Sequence, residues 1–265
     1  MDIGVFDEFA SYLKIYDVYD DNGLMNLVRV GVPKDGGFFL PQKALEASDA
    51  TMAYEVKDKY SFARVYENIT HKPSFIFACD ECRIIDVKTN QTVENFTPEC
   101  NGNFDFILPR GALASDEVIT SFEQQIEGLN LQNKKLIIKS DIEGAEMNDL
   151  GDILEHSDSI VALAISLHFN EDDQLLKALP LMKEMGKDFI LVHLFGCNCL
   201  KKTFTSKHII GKAPRVMSLS YVHRDLVSSY QLSADQSVPS RGDQSICSWI
   251  KEVPFKVRVK YEKDL

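Results

Sequence analysis

Short apolar runs alternate with stretches of helical periodicity along most of the chain. The longest run spans residues 160–167 with one serine in it, and such a run is typical of a strand that is covered on both faces. Similar runs predict further strands at residues 27–30, 38–40, 51–56, 74–78, 104–108, 135–139, 189–192, 216–222 and 253–260. Apolar spacings of three and four residues predict helices at residues 6–19, 61–69, 118–129 and 172–185. Strands separated by helices are typical of an α/β domain, so we expect a mostly parallel sheet with helices on both faces.

Four of the predicted strands end at, or just before, a polar or titratable residue. These residues are Asp80, Asp141 with Glu143, His168 and His193. In a mostly parallel sheet a ligand binds beyond the carboxyl ends of the strands. One such residue alone is usually a loop residue that faces water, but four strands that deliver polar residues to one edge predict a site. Each histidine can equally be a buried imidazole whose hydrogen bonds are satisfied.

The length of 265 residues permits one sizeable domain or two small ones, and it favours one. The sequence contains no internal repeat, low-complexity tract or long linker. We therefore expect a single domain with a core over residues 51–226. Residues 1–50 are predicted to form a helical cap and residues 227–265 a C-terminal extension.

The composition is that of an ordinary globular protein, with 45% hydrophobic and 26% charged residues. The longest apolar run is too short to span a bilayer, so no membrane span is expected. The first residues lack the basic start and apolar core of a signal peptide, which favours a cytoplasmic location. The formal charge of −11 repels a phosphate backbone, so nucleic acid is not an expected partner.

Six cysteines are too few to crosslink a chain of this length. Cys79 and Cys82 have the spacing of a metal-ligand pair, and Cys197 with Cys199 could supply a second pair. Nothing in the sequence shows that the two pairs meet. Free thiols are therefore the expected state, and no metal site is predicted. A zinc-dependent module is the lowest-ranked hypothesis for the function.

Residues 138–146 read Ile-Lys-Ser-Asp-Ile-Glu-Gly-Ala-Glu, which resembles the Lys-x-Asp-Ile-Glu-Gly-x-Glu motif of FkbM-type methyltransferases. Enzymes of this family use S-adenosylmethionine. The resemblance continues in the same order from residue 29 to about residue 226. The other matching segments are Arg29-Val30-Gly31, Asp35-Gly36-Gly37-Phe38, Ser61-Phe62, Leu167-His168, Val192-His193 with Asn198, and Leu219-Ser220-Tyr221-Val222.

The resemblance implies a Rossmann-like class I methyltransferase fold with a seven-stranded sheet, and S-adenosylmethionine as the cofactor. It implies methyl transfer to a hydroxyl of a sugar, a glycan or another small polyol. Because the transfer is an in-line displacement, positioning two reactants supplies most of the barrier reduction. A base near the acceptor hydroxyl helps, and His168 or His193 is the candidate.

The resemblance also implies roles for the acidic and polar residues. Asp80 would accept hydrogen bonds from the ribose hydroxyls, and Asp141 and Glu143 would lie near the sulfonium and the acceptor. Further candidates are Glu55, Asp58 and Ser61 for the cofactor, together with Asp141, and Asp35 and Asn198 for the acceptor.

The chain departs from the family pattern at positions that line the family's pocket. Glu55 and Lys57 stand where the family has glycines, which permit close approach of a ligand to the backbone. Ala63, Ser166 and Ser218 stand where the family has acids. Two alternatives therefore remain open: a shifted cofactor that contacts Glu55 or Asp58, and a non-catalytic relative that acts as a binding or scaffold module.

Overall fold

An eight-stranded sheet forms the centre of the protein in the computed structural model. The structure describes residues 3–32, 38–55, 61–78, 83–86, 91–92, 121–142, 146–169, 172–197, 203–240, 243 and 254–258. The strand predicted at residues 104–108 lies outside the described residues. So do five of the candidate site residues, namely Asp35, Asp58, Asp80, Glu143 and Asn198.

Six helices form in the described residues, and three of them match the helices predicted at 61–69, 118–129 and 172–185. They are α1 (Ile3–Ser11), α2 (Gln42–Ala47), α3 (Ser61–Thr70), α4 (Phe122–Gly128), α5 (Glu146–Leu154) and α6 (Asp172–Asp188), with single 3₁₀ turns at Ser157–Ser159 and Arg224–Leu226. A capping box begins α4, because the Ser121 side chain accepts from the Gln124 amide and the Gln124 side chain accepts from the Ser121 amide.

The strands differ greatly in length, and the longest are the buried ones. They are β1 (Tyr16–Asp20), β2 (Gly23–Leu24), β3 (Leu27–Val30), β4 (Phe38–Pro41), β5 (Ala50–Glu55), β6 (Ser74–Ala78), β7 (Arg83–Asp86), β8 (Gln91–Thr92), β9 (Leu136–Asp141), β10 (Ile160–His168), β11 (Phe189–Cys197), β12 (Thr203–Phe204), β13 (Ile209–Gly211), β14 (Ala213–Pro214), β15 (Val216–His223), β16 (Ser229–Leu232), β17 (Ser237–Val238) and β18 (Phe255–Val257).

The central sheet has the strand order β11-β15-β10-β9-β5-β6-β7-β8. Strands β10, β9, β5 and β6 are parallel neighbours. Strand β15 is antiparallel to both β10 and β11, so β11 runs in the same direction as β10. Strands β7 and β8 extend the opposite edge with antiparallel pairing. The result is a mostly parallel block of six strands, which is compatible with a Rossmann-like fold.

Two apolar cores lie on the two faces of this sheet, because successive strand residues point to opposite faces. One core joins Ile138 and Leu163 to side chains of α1, α4, α5 and α6. The other core joins Ile137 and Ala162 to α2, α3 and the β3–β4 hairpin. The prediction of a mostly parallel sheet with helices on both faces is thus confirmed.

The structure corrects the predicted elements at three places. The expected seven-stranded sheet is wrong for the described residues, which place eight strands in it. The helix predicted at 6–19 ends at Ser11, and β1 follows because its residues pair with β16 instead of continuing the helix. The strand predicted at 189–192 continues to Cys197, because β15 supplies hydrogen-bond partners along its whole length.

The N-terminal and C-terminal parts of the chain meet in one small sheet, in which β1 lies between β16 and β2. The first 50 residues therefore contribute strands as well as helices. Among the described residues, no helix is long and apolar enough to cross a membrane.

Candidate functional site

The candidate site lies at the carboxyl ends of three adjacent parallel strands. Glu55, Asp141 and His168 are the last residues of β5, β9 and β10. The register pairs Glu55 with Asp141, so these two side chains leave the sheet at the same level. The prediction that Asp141 and His168 end strands at one edge is confirmed.

A buried lysine joins two of these carboxylates. The Lys139 Nζ lies 3.2 Å from Glu55 Oε1 and 3.5 Å from Asp141 Oδ2. The Lys139 side chain is 4% exposed and that of Glu55 is 0% exposed, so the pair is desolvated. Lys139 precedes Asp141 by two residues and therefore lies on the same face of the sheet. The glycine of the family pattern is thus replaced by a glutamate that is buried against Lys139.

His168 is oriented by a glutamate from the next helix. Its Nδ1 lies 2.7 Å from Glu146 Oε1, and because a carboxylate only accepts, Nδ1 carries the proton and donates it. The same Glu146 oxygen accepts from the Ile142 amide at 3.1 Å. Glu146 is the first residue of α5 and is fully buried, so it holds the ring in place. His168 Nε2 then lies 3.8 Å from Asp141 Oδ1.

Among the described residues the cluster holds more carboxylates than cationic groups, since Glu55, Asp141 and Glu146 lie near one ammonium and one imidazole. Another acid lies behind Glu146 on the same helix. Burial, with the neighbouring charges of Glu146 and Asp152, raises the pKa of Asp149 to about 9. The electrostatic environment therefore favours a positively charged ligand.

Asp141, Glu146 and His168 are also the residues that could hold a metal ion. One ligand atom from each lies within 4.8 Å of the other two. Neither Glu146 nor Lys139 was assigned a role from the sequence, although both stand in the quoted motif. Their spacing was the available signal: Lys139 shares a strand face with Asp141, and Glu146 falls in the first turn after that strand.

Two serines occupy positions where the family pattern has acids. The Oγ atoms of Ser166 and Ser218 lie 3.1 Å apart across β10 and β15, and both residues are buried. One of these hydroxyls donates to the other, so an uncharged hydroxyl pair stands at these two positions.

His193 lies apart from the strand-end cluster. It stands in the middle of β11, so the prediction that it ends a strand is wrong. Its Nε2 lies 2.9 Å from Asp243 Oδ1 and 3.3 Å from Ser240 Oγ, and its ring is 4.7 Å from that of Phe39. His193 is 6% exposed, which matches the alternative of a buried, satisfied imidazole. A continued apolar run after residue 193 was the signal that the strand did not end there.

The remaining predicted residues are only partly covered by the structure. Ser61 begins α3, and its buried hydroxyl has no hydrogen-bond partner among the described residues. Cys197 is a buried free thiol. The partners that a zinc site would need, including Cys79, Cys82 and Cys199, lie outside the described residues. The predicted roles of these residues stay predictions.

Comparison of the chain with protein-family models, with curated proteins and with solved structures found no match. The function is therefore inferred from the motif of the sequence and the geometry of the strand-end cluster.

Proposed function

We propose that the protein transfers a methyl group from S-adenosylmethionine to a hydroxyl of a sugar, a glycan or another small polyol. The observation that carries the proposal is the meeting of Asp141, Lys139, Glu146 and His168 at the carboxyl ends of β9 and β10. All four come from the two segments of the sequence that resemble FkbM-type methyltransferases, residues 138–146 and 167–168. Ligands of open α/β sheets bind at this edge.

The strand order supports the proposal at the level of the fold. An antiparallel strand, β15, is inserted between β10 and β11, which run in the same direction. This arrangement agrees with the class I methyltransferase fold that the resemblance implies. Fold alone does not specify chemistry, so the argument rests on the cluster.

The charges of the cluster support a cationic methyl donor. The sulfonium of S-adenosylmethionine is positive, and the carboxylates of Glu55, Asp141 and Glu146 outnumber the single Lys139 ammonium. In the proposed reaction the acceptor oxygen attacks the methyl carbon, the carbon–sulfur bond breaks, and the sulfur leaves as a neutral thioether. The hydroxyl proton passes to a nearby base or to water. Of the two candidate histidines, we propose His168 as the one that contacts the acceptor, because its Nε2 faces Asp141 at the strand ends whereas the ring of His193 lies against Phe39.

The other proposed contacts come from Ser61, at the start of α3, and from residues outside the described part of the chain. Asp80 would hold the ribose, Asp58 and Ser61 the polar end of the cofactor, and Asp35 and Asn198 the acceptor. Glu143 would lie beside Asp141 at the reaction centre.

A non-catalytic binding or scaffold protein is the second candidate, and one observation favours it. The Glu55 side chain is fully buried against Lys139 at a position where the family has a glycine that lets the cofactor approach. In this alternative the Glu55–Lys139 pair replaces the cofactor contact and stabilises the sheet.

Calorimetric titration with S-adenosylmethionine and S-adenosylhomocysteine tests the proposal. We expect binding in the micromolar range, and we expect Asp141→Asn to weaken it about tenfold or more, because the variant removes a carboxylate near the sulfonium. The matched control is Asp173→Asn, an exposed aspartate on α6, which should bind as the unaltered protein does. Absence of binding at millimolar concentration would overturn the proposal and favour the scaffold.

A further inference from the structure

We infer that Asp141, Glu146 and His168 form a binding site for one divalent transition-metal ion, with Mn²⁺ as the best-fitting probe. The three side chains come from β9, α5 and β10, and one ligand atom of each lies within 4.8 Å of the others. The three ligands belong to separate elements, so only the tertiary structure brings them together.

The distances suit a bridging cation. Metal–ligand bonds of about 2.0–2.2 Å allow two ligands of one ion to lie up to about 4 Å apart. His168 Nε2 and Asp141 Oδ1 are 3.8 Å apart, which is too long for a hydrogen bond and fits an ion between them. Glu146 Oε1 already holds His168 Nδ1 at 2.7 Å. A carboxylate in that position orients a metal-binding imidazole and fixes which of its nitrogens is free to face the ion.

The donor types select the class of metal. Mg²⁺ and Ca²⁺ prefer sites made of oxygen atoms, whereas an imidazole nitrogen suits first-row transition metals and zinc. A site with two carboxylates and one imidazole therefore favours Mn²⁺, Fe²⁺ or Zn²⁺ over Mg²⁺. Mn²⁺ is the better probe than Zn²⁺, because it binds weakly to the cysteine thiolates that this chain also contains.

A second observation is a buried carboxyl group on α5, the helix that supplies Glu146. Asp149 follows Glu146 by one helical turn, is 3% exposed, and has a buried Oδ2 with no hydrogen-bond partner among the described residues. Buried carboxyl groups beside one another are costly unless a cation or hydrogen bonds offset them. The Lys139 ammonium contacts Glu55 and Asp141. A bound dication would favour the ionised forms of the carboxyl groups that lie near it.

The ion would give the proposed methyl transfer its acceptor chemistry, and this part of the inference rests on the proposed function. A cation held by two or three protein ligands keeps coordination positions open. Two adjacent hydroxyls of a polyol can fill them, and coordination lowers the pKa of a bound hydroxyl. The preferred acceptor would then be a vicinal diol, and His168 would act as a ligand instead of a base.

The test is a calorimetric titration of the chelator-treated, folded protein with MnCl₂, repeated with MgCl₂. We expect one site that binds Mn²⁺ at least tenfold more tightly than Mg²⁺. Electron spin-echo spectra of the bound Mn²⁺ should show coupling to an imidazole nitrogen. Asp141→Asn and His168→Asn should each weaken Mn²⁺ binding at least tenfold, whereas the controls Asp173→Asn and His71→Asn, at exposed positions, should leave it unchanged.

Absence of Mn²⁺ binding below millimolar concentration to the unaltered protein overturns the inference, whatever the variants do. So does binding that both site variants retain. The proposed function is tested separately, because the titration with S-adenosylmethionine is performed in a chelating buffer. Cofactor binding without metal binding contradicts the metal site alone, and metal binding without cofactor binding contradicts the methyl-transfer proposal alone.

Discussion

Individual side chains of one type take different roles in this protein because of where they are buried. His168 and His193 both lie on strands of the central sheet and both have a carboxylate partner. His168 stands at the end of β10 and keeps one nitrogen directed at Asp141. His193 stands inside β11, where Asp243 and Phe39 enclose it. The sequence predicted a site residue at both histidines. Only His168 ends its strand, and this position distinguishes it from the enclosed His193.

Asp149 makes the stability of the protein depend on pH. Its pKa is raised to about 9 by burial and by the charges of Glu146 and Asp152, so the folded protein holds its proton far above the ordinary value of 3.8. An acid whose pKa is higher in the folded than in the unfolded state adds to the free energy of unfolding. For Asp149 this contribution is complete below pH 3.8 and is lost as the pH rises towards 9. This group alone can lower the free energy of unfolding by up to about 1.4 kcal/mol per pH unit in that window.

We therefore expect Asp149→Asn to be more stable than the unaltered protein at pH 8, and its stability to fall less between pH 5 and pH 8, by about 1 kcal/mol or more per pH unit. Denaturant unfolding at several pH values in a chelating buffer measures this. Asp158→Asn, at an exposed position, is the control and should leave the slope unchanged. Parallel pH profiles for Asp149→Asn and the unaltered protein would contradict the prediction.

At the scale of elements, a strand extends as far as its neighbours supply partners. Strand β11 continues past its first apolar run because β15 pairs with it as far as Cys197. Near its end β11 also packs against β14 and β18, and Gly196 makes this approach feasible. A Cβ added at Gly196 would lie 2.6 Å from Pro214 Cγ and 2.9 Å from Phe255 Cε1.

We expect Gly196→Ala to lower the free energy of unfolding by about 1–3 kcal/mol, because the added methyl overpacks the contact of β11 with Pro214 and Phe255. The control is Gly186→Ala in α6, where a Cβ meets nothing within 4 Å. Alanine is favoured over glycine inside a helix, so the control should gain about 0.5–1 kcal/mol. Thermal and denaturant unfolding measure both, and equal effects of the two variants would refute the packing argument.

At the scale of the whole molecule, a segment near the N-terminus pairs with a segment that follows the central sheet. Strand β1 pairs with β16, and Gln236 spans the same junction. Its Oε1 accepts from the Ile15 amide at 3.0 Å, and its Nε2 donates to the Ile15 carbonyl at 2.6 Å. Gln236 is 1% exposed, so these bonds are shielded from water. The segment after residue 226 therefore contributes to the stability of the N-terminal part.

Gln236→Ala should lower the free energy of unfolding by about 1–3 kcal/mol, because it leaves the buried Ile15 amide and carbonyl without their side-chain partner. Gln231→Ala is the matched control: Gln231 donates to the Tyr19 hydroxyl in an exposed bond, and its loss should cost less than about 0.5 kcal/mol. Hydrogen exchange of the Ile15 amide should also become faster in Gln236→Ala alone. An unchanged exchange rate would show that Gln236 does not protect this junction.

The sequence by itself determined most of the long strands of the central sheet, the helices at 61–70, 122–128 and 172–188, and the polar residues that end strands at Asp141 and His168. Those features depend on local periodicity and on where an apolar run stops. Lys139 and Glu146 also stand in the motif. Their roles could not be predicted, because their partners Glu55 and His168 lie on other elements.

Only the tertiary structure decided the strand order, the insertion of β15, and the pairing of Glu146 with His168. It also decided that His193 is enclosed by Asp243 and Phe39. Each of these features joins residues that are far apart along the chain, and the periodicity of a single segment contains no information about the segment against which it packs.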